Sequence, residues 1–267
     1  MPARFWHDLT WPEFAALDTS RAVALLPIAA TEQHGPHLTV AVDTTINEGV
    51  VRGAMALIPD EVTLLVLPTQ AIGVSVEHGR FPGSLTVAPE TAIAAWTEIG
   101  ASVARAGIRR LLLLNSHGGQ PQVAEIVCRR LRIVHRLFAA TAMWDRITAL
   151  ADLIPPDERR FGIHAGQMET ALMLALAPER VRADRVRDFA NATASLDGNT
   201  VLRAGGAVAF GWQAQDLNAS GAVGNAAAAT AELGAAVLAR AAQAVARLVA
   251  EIAAIDVEAW LKEDTRA

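Results

Sequence analysis

Three short segments of this chain concentrate the residue types that bind divalent cations and carry protons. In Thr31-Glu32-Gln33-His34-Gly35-Pro36-His37 a carboxylate and an imidazole stand two apart, so on an extended backbone Glu32 and His34 project to the same side. Asp43 follows nine positions after His34. The second segment, Asn115-Ser116-His117-Gly118-Gly119-Gln120-Pro121, sets a histidine beside two glycines that let backbone approach a ligand closely. The third, Gly162 to Thr170, contains His164 and Glu169. Glu32, Asp43 and Glu169 supply three negative charges, and His34 and His117 two neutral nitrogens. Two divalent ions with one hydroxide would nearly neutralise that set, and such a centre activates water for hydrolysis. No cysteine is among the candidates, which points to zinc, manganese, cobalt or iron in a nitrogen and oxygen environment.

Each candidate also has a plainer reading. Asp43 precedes Thr44-Thr45-Ile46 as a helix N-cap would, Glu169 suits the first turn of a helix through the helix dipole, and His117 could be a structural histidine in a turn. His37 is left outside the ligand set as a loop histidine. A serine nucleophile at Ser116 lacks the G-x-S-x-G elbow, and no G-x-G-x-x-G follows the first strand to hold a dinucleotide. All three segments fall beside glycines in loops at one inferred sheet edge, which independent plain readings do not explain.

The elements that position these segments alternate strand and helix. Arg21 to Ala29, Glu61 to Leu67, Arg110 to Asn115 and Phe138 to Met143 read as buried strands. Helices are expected from Asp43 to Ile58, Pro89 to Gly107, Pro121 to Leu137 and Gln167 to Leu176, with proline in the first turn and glycine past the last where the chain allows it. This pattern predicts one α/β domain over residues 1–267, a three-layer α/β/α sandwich around a mainly parallel sheet. Ligands gather at the carboxyl ends of such strands. Thr69 to Val87 is longer and richer in glycine than a connection requires, so it is expected to serve the site. Trp212, Gln213, Asp216 and Asn218 could line the pocket, a subunit interface or an ordered surface loop.

Composition narrows the partner. The chain is 52% hydrophobic and 19% charged, contains no tyrosine, and carries a net charge of -5. Its charges are interspersed, which offers no basic stripe to nucleic acid and no polybasic anchor to a membrane. A small molecule is the expected partner, and the apolar balance suggests that self-association covers some surface. Asn225 to Ile255 is alanine-rich and long enough to span a bilayer, but Glu232, Arg240, Arg247 and Glu251 mark it as a packed helix with a wet side. The absence of a signal-like start and the single cysteine, Cys128, fit a reducing cytoplasm.

Taken together, Ala30 to Leu38 with Asp43, Asn115 to Gln120, and His164 to Thr170 resemble the hallmark segments of the creatininase family. The stretches Ser75-Val76-Glu77-His78 and Phe81 to Leu85 are similar to it as well, so the likeness runs in order from Ala22 to about Leu176. The resemblance implies a hexamer of α/β/α subunits with two metals per chain, Asp43 bridging them. Glu32 and His117 would complete one site, His34 and Glu169 the other, and His164 would give a proton to the leaving nitrogen. Ser75, Glu77, His78, Gly118 and Gly119 would meet the substrate. Members that open creatinine carry a tyrosine and a glutamate where this chain has Gly118 and Gly119, which argues against creatinine itself. Ser116, Gln120 and Gln167 also depart from the common pattern without removing a ligand. The expected activity is hydrolysis of a non-peptide, cyclic amide in a small polar molecule. Alternatives are a peptidase that trims a peptide precursor of a redox cofactor, a formamide deformylase, and a metal- or ligand-binding protein without catalysis.

Overall fold

The computed structural model describes residues 3–261 apart from 197, 200, 206, 207 and 209. Five parallel strands, β1 (Ala3–Phe5), β2 (Ala22–Ile28), β3 (Thr63–Val66), β4 (Arg110–Asn115) and β5 (Phe138–Met143), form one sheet in the order β1-β3-β2-β4-β5. The helices are α1 (Trp11–Ala15), α2 (Val42–Met55), α3 (Pro89–Arg105), α4 (Pro121–His135), α5 (Pro156–Phe161), α6 (Gln167–Leu176), α7 (Ala214–Leu217), α8 (Ala231–Ala253) and α9 (Val257–Trp260). A short antiparallel pair, β6 (Asp188–Phe189) and β7 (Gly224–Asn225), lies apart from the main sheet.

The central strands are apolar throughout because both faces are covered. Alternation still sorts their side chains. Val23, Leu25, Leu112 and Leu114 join the core beneath α2, α6 and α8, whereas Ala24, Leu26, Leu111 and Leu113 join the core beneath α3 and α4. The result is the expected α/β/α sandwich. From β2 the chain crosses one face through α2 to β3, then crosses the other through α3 to β4 on the opposite side of β2. The carboxyl ends of β2 and β4, paired at Ile28 and Asn115, therefore form a topological switch point, and the first two chemical segments leave the sheet there.

Several boundaries differ from the sequence reading. Asp43 is not an N-cap, because α2 begins one residue earlier at Val42 with Ala41 in the cap position. The last long helix starts at Ala231 rather than Asn225, since the Thr230 hydroxyl accepts a hydrogen bond from Leu233 N at 3.1 Å and fixes its start. Gly224–Asn225 is instead drawn into β7. This helix is long and apolar enough to cross a membrane by composition, yet it packs along α2 and α6. The edge strand β1 was not foreseen, because three residues containing Arg4 give no alternation to read.

Candidate active site

Glu32, His34, Asp43 and His117 converge at the switch point, all nearly inaccessible to solvent. Asn115 shapes the second segment: its Oδ1 accepts from His117 N at 2.9 Å and its Nδ2 donates to His117 O at 2.9 Å. Asn47, one turn after Asp43 on α2, donates to Ile28 O at 3.1 Å and Leu114 O at 2.9 Å, locking α2 to the ends of β2 and β4. Ser116 donates from Oγ to Asp43 O at 2.9 Å, so its hydroxyl serves the α2 start and is not poised as a nucleophile. Gln120 is fully buried and braces the long loop, accepting from Val74 N at 3.0 Å while donating to Ala29 O at 3.2 Å.

The third segment reaches the same place from α6. Ala165 adopts φ 55°, a left-handed conformation uncommon for a residue with a Cβ, and this reversal turns both His164 and Glu169 toward the cluster. Glu169 Oε2 accepts from Ala165 N at 2.6 Å and holds the turn closed. His164 is bridged to Val223 by backbone hydrogen bonds in both directions.

Three histidines share one device. His34 Nδ1 donates to Glu32 O at 3.0 Å, His117 Nε2 to Val74 O at 2.8 Å, and His164 Nε2 to Gln33 O at 2.6 Å. Each carbonyl can only accept, so the opposite ring nitrogen is the one offered to the cluster. His34 Nε2 faces Asp43 Oδ1 at 3.3 Å and Glu169 Oε2 at 3.8 Å. His117 Nδ1 faces Glu32 Oε1 at 3.2 Å and Asp43 Oδ2 at 3.5 Å. His164 Nδ1 lies 3.7 Å from Glu32 Oε1. Donor atoms of Glu32, Asp43 and His117 lie within 4.8 Å of one another, as do those of His34, Asp43 and Glu169, and those of Glu32, His34 and His164.

These residues fit divalent cations. Glu32 Oε2, His34 Nε2 and Asp43 Oδ2 are buried without a hydrogen-bond partner, a costly state that a cation among them would relieve. Electrostatics agree. Burial opposes charge on His34, but the hydrogen bond and charge of Asp43, backed by Glu169 and Glu32, hold it up at about 9. Burial is likewise outweighed at His117, which Glu32, Asp43 and Glu77 raise to about 10. Burial lifts Glu169 to about 7 against the pull of His34. Burial and the neighbouring His34 and His78 push His164 well below its ordinary value.

The remaining candidates surround this centre. Ser75 is fully enclosed with Oγ 3.4 Å from His117 Nε2, and His78 Nε2 lies 3.4 Å from Glu32 Oε1. Glu77 Oε1 is 3.5 Å from His117 Nε2, and its side chain is 14% exposed. A side chain at Gly118 would enter open space, whereas one at Gly119 would strike Glu77 and His117. His37 is buried and bonds through Nε2 to Thr170 Oγ1 at 3.0 Å, outside the three donor groups. Trp212 donates to Ala204 O at 3.0 Å and Asn218 to Ala190 O at 2.9 Å, so these two hold the ordered loop. Sequence reasoning missed Gln33, whose Nε2 lies 2.7 Å from His78 Nδ1 and 3.1 Å from Gly221 O; it stood inside the first segment as a spacer. A cavity of about 450 Å³ opens beside His164 and Glu169, lined also by Asp145, Arg146, Thr148 and Met168.

The family model described as creatinine amidohydrolase matches residues 7–249. The chain is 31% identical to the mycofactocin precursor peptide peptidase of Mycobacterium ulcerans over 205 residues, covering 75% of this chain and 72% of that protein. It is 30% identical to the creatinine amidohydrolase of Pseudomonas putida over 206 residues, covering 71% and 78%. Among solved structures, a creatininase variant complexed with creatine superposes with a TM-score of 0.77 at 26% identity, over 94% of this chain and 99% of that one. A manganese form (TM-score 0.75, 25% identity, 94% and 99%) and a zinc–zinc form (0.74, 26%, 94% and 98%) share the fold. With the match spanning nearly the whole sandwich and all three chemical segments, this chain belongs to the creatininase family of hydrolases.

Proposed function

We propose that this hydrolase opens a non-peptide, cyclic amide C–N bond in a small polar molecule, using two divalent ions held by Glu32, His34, Asp43, His117 and Glu169. The observation that carries the reading is Asp43, whose Oδ1 faces His34 and whose Oδ2 faces His117, so one buried carboxylate is common to two ligand triads. Zinc and manganese suit these donors, with iron or cobalt as further fits. When bound, such ions polarise a scissile carbonyl and lower the pKa of a water.

The chain's own groups do the rest. His164 keeps its proton on Nε2 toward Gln33 O, leaving Nδ1 to accept a proton and deliver it to the leaving nitrogen. The cavity beside His164 and Glu169 has the volume of a small-molecule site. A peptide substrate is the second reading, favoured by the mycobacterial peptidase relative. The same proposal includes a cytoplasmic homohexamer without nucleic-acid or membrane partners; exposed Trp11, Ile133 and Trp260 support surface coverage by further copies.

The test is hydrolysis by metal-loaded protein of hydantoins and lactams, of aryl formamides, and of short peptides. Turnover of cyclic amides without peptide cleavage supports the reading. Formamide turnover alone moves the assignment to a deformylase, and peptide cleavage alone to a peptidase. Failure on every class with both metals bound favours a non-catalytic binder.

A further inference from the structure

We infer that Glu77 is a substrate-contacting carboxylate of this centre, admitted to it by the missing side chain at Gly119, and that it selects amides bearing an N–H. The inference rests on the metal-hydrolase reading above and narrows its substrate class.

Gly119 is where that carboxylate gains its room. A Cβ built there would collide with Glu77 Oε1, lie 2.8 Å from the Glu77 carboxyl carbon, and stand 2.5 Å from His117 Nε2. Its neighbour Gly118 meets nothing within 4 Å. The two glycines therefore differ: Gly118 faces open space, and Gly119 makes way for a carboxylate delivered from a different loop. That loop is the long segment after β3, where a single turn from Val76 to His78 sends Glu77 and His78 toward the cluster from adjacent positions.

The obvious plain role for Glu77 is to orient His117, but that role is filled. The His117 Nε2–H already donates to Val74 O at 2.8 Å, while Glu77 Oε1 stands off at 3.5 Å. Glu77 is also partly exposed, unlike Glu32 and Asp43, which are closed off from solvent. A carboxylate held at the lip of the centre, acting on His117 by charge but taking no hydrogen bond from it, keeps an acceptor for a ligand. It can only accept, so its complement is an N–H. In an amide attacked at the carbonyl carbon, the group beside the reacting atom that can offer one is the amide nitrogen. Secondary amides, lactams and formamides carry that hydrogen, whereas tertiary amides and esters do not.

Hydroxamates test this without knowledge of the natural substrate, because they bind metal centres through oxygen whatever the enzyme's specificity. Acetohydroxamate offers an N–H, and N-methylacetohydroxamate does not. Dissociation constants for both should be measured by calorimetry on metal-loaded parent protein, Glu77→Gln, Glu77→Ala, Gly119→Ala and the double Glu77→Ala/Gly119→Ala, with metals per chain determined for each. In the parent the N–H compound should bind about tenfold tighter or more, the size of a hydrogen bond to a charged acceptor. That preference should shrink in Glu77→Gln and vanish in Glu77→Ala; in Gly119→Ala, whose added Cβ also crowds His117, it should vanish at parent metal content and fall no further in the double variant. Metal content should stay at the parent level in the Glu77 variants. An unchanged preference in Glu77→Ala, or loss of metal there, overturns the inference and leaves the hydrolase reading standing. Failure of the metal-loaded parent to bind either hydroxamate removes both.

Discussion

Replacing Glu158 should loosen the segment that holds His164 and Glu169, although Glu158 belongs to none of the three motifs. Its Oε1 accepts from Gln167 N at 2.7 Å, at the first residue of α6, and its Oε2 accepts from Asn225 N at 2.9 Å in β7. Gly162, Gly166 and Gly224 pack around this carboxylate so closely that a Cβ on any of them would crowd Oε1. Glu158 thus buckles α6, which carries Glu169, to the strand beside Val223, whose backbone holds His164. A hydrogen bond to a charged acceptor contributes about 1.5–3 kcal/mol when well protected. Because Glu158 is only partly buried, solvent replaces some of that, and about 2–4 kcal/mol for the pair is the expected loss in Glu158→Ala. In a chain of this size that corresponds to a melting temperature lower by roughly 4–16 °C. Turnover should fall further than stability suggests, by about a hundredfold, since displacing a reacting group by an ångström costs that much. Calorimetric melting and steady-state kinetics on Glu158→Ala and Glu158→Gln provide the assay, with Gln retaining one acceptor and falling between. Parent-like melting and parent-like turnover in Glu158→Ala would show that Glu158 does not brace this segment.

Other consequences can be checked separately. His164→Ala should reduce turnover by about 10²-fold or more while metal content stays at the parent level, as expected of a proton carrier; lost metal would make His164 a ligand, as its grouping with Glu32 and His34 allows. Cys128, whose thiol burial raises from 9.0 to about 12, should at pH 8 be about a thousandfold poorer in thiolate than an ordinary cysteine. Iodoacetamide should therefore label it slowly in native protein and fully in urea, and rapid native labelling would contradict its burial. Because the folded state favours the neutral thiol, its contribution to stability is intact below about pH 9 and declines as pH rises toward 12. Metal uptake should release protons at pH 7, since His34 and His117 are held protonated up to about 9 and about 10 in the metal-free protein. Apparent affinity should rise with pH up to that range, and calorimetry in buffers of different ionisation enthalpy would expose uptake without proton release.

Much of the fold was legible because its signals are local. Ala22–Ile28 and Arg110–Asn115 are continuous apolar runs of the kind a doubly covered parallel strand requires, and Pro89 and Pro121 mark helix starts directly. The five proposed ligands could be picked out because carboxylates and imidazoles beside glycines, at the ends of strands, are poor choices for packing alone. What stayed hidden depends on partners distant in sequence. Asn47 looks like an ordinary helix residue until β2 and β4 present their carbonyls to it. Glu158 lies in the exposed-looking Pro156–Phe161 segment, and only the approach of Asn225 gives it a second hydrogen bond. Gly119 reads as a place where backbone approaches a ligand closely, whereas the structure makes it a vacancy filled by Glu77.

The proposed two-ion centre shares Asp43 between its two triads. Plasma mass spectrometry of gently purified parent protein, with Glu32→Ala, Glu169→Ala and Asp43→Ala beside it, addresses it directly. About two divalent ions per chain are expected in the parent, with a reduction in each of the first two variants and the greatest loss in Asp43→Ala because that residue serves both triads. Fewer than one ion per chain in the parent, unchanged by these substitutions and not restored by added zinc or manganese, would contradict the two-ion centre.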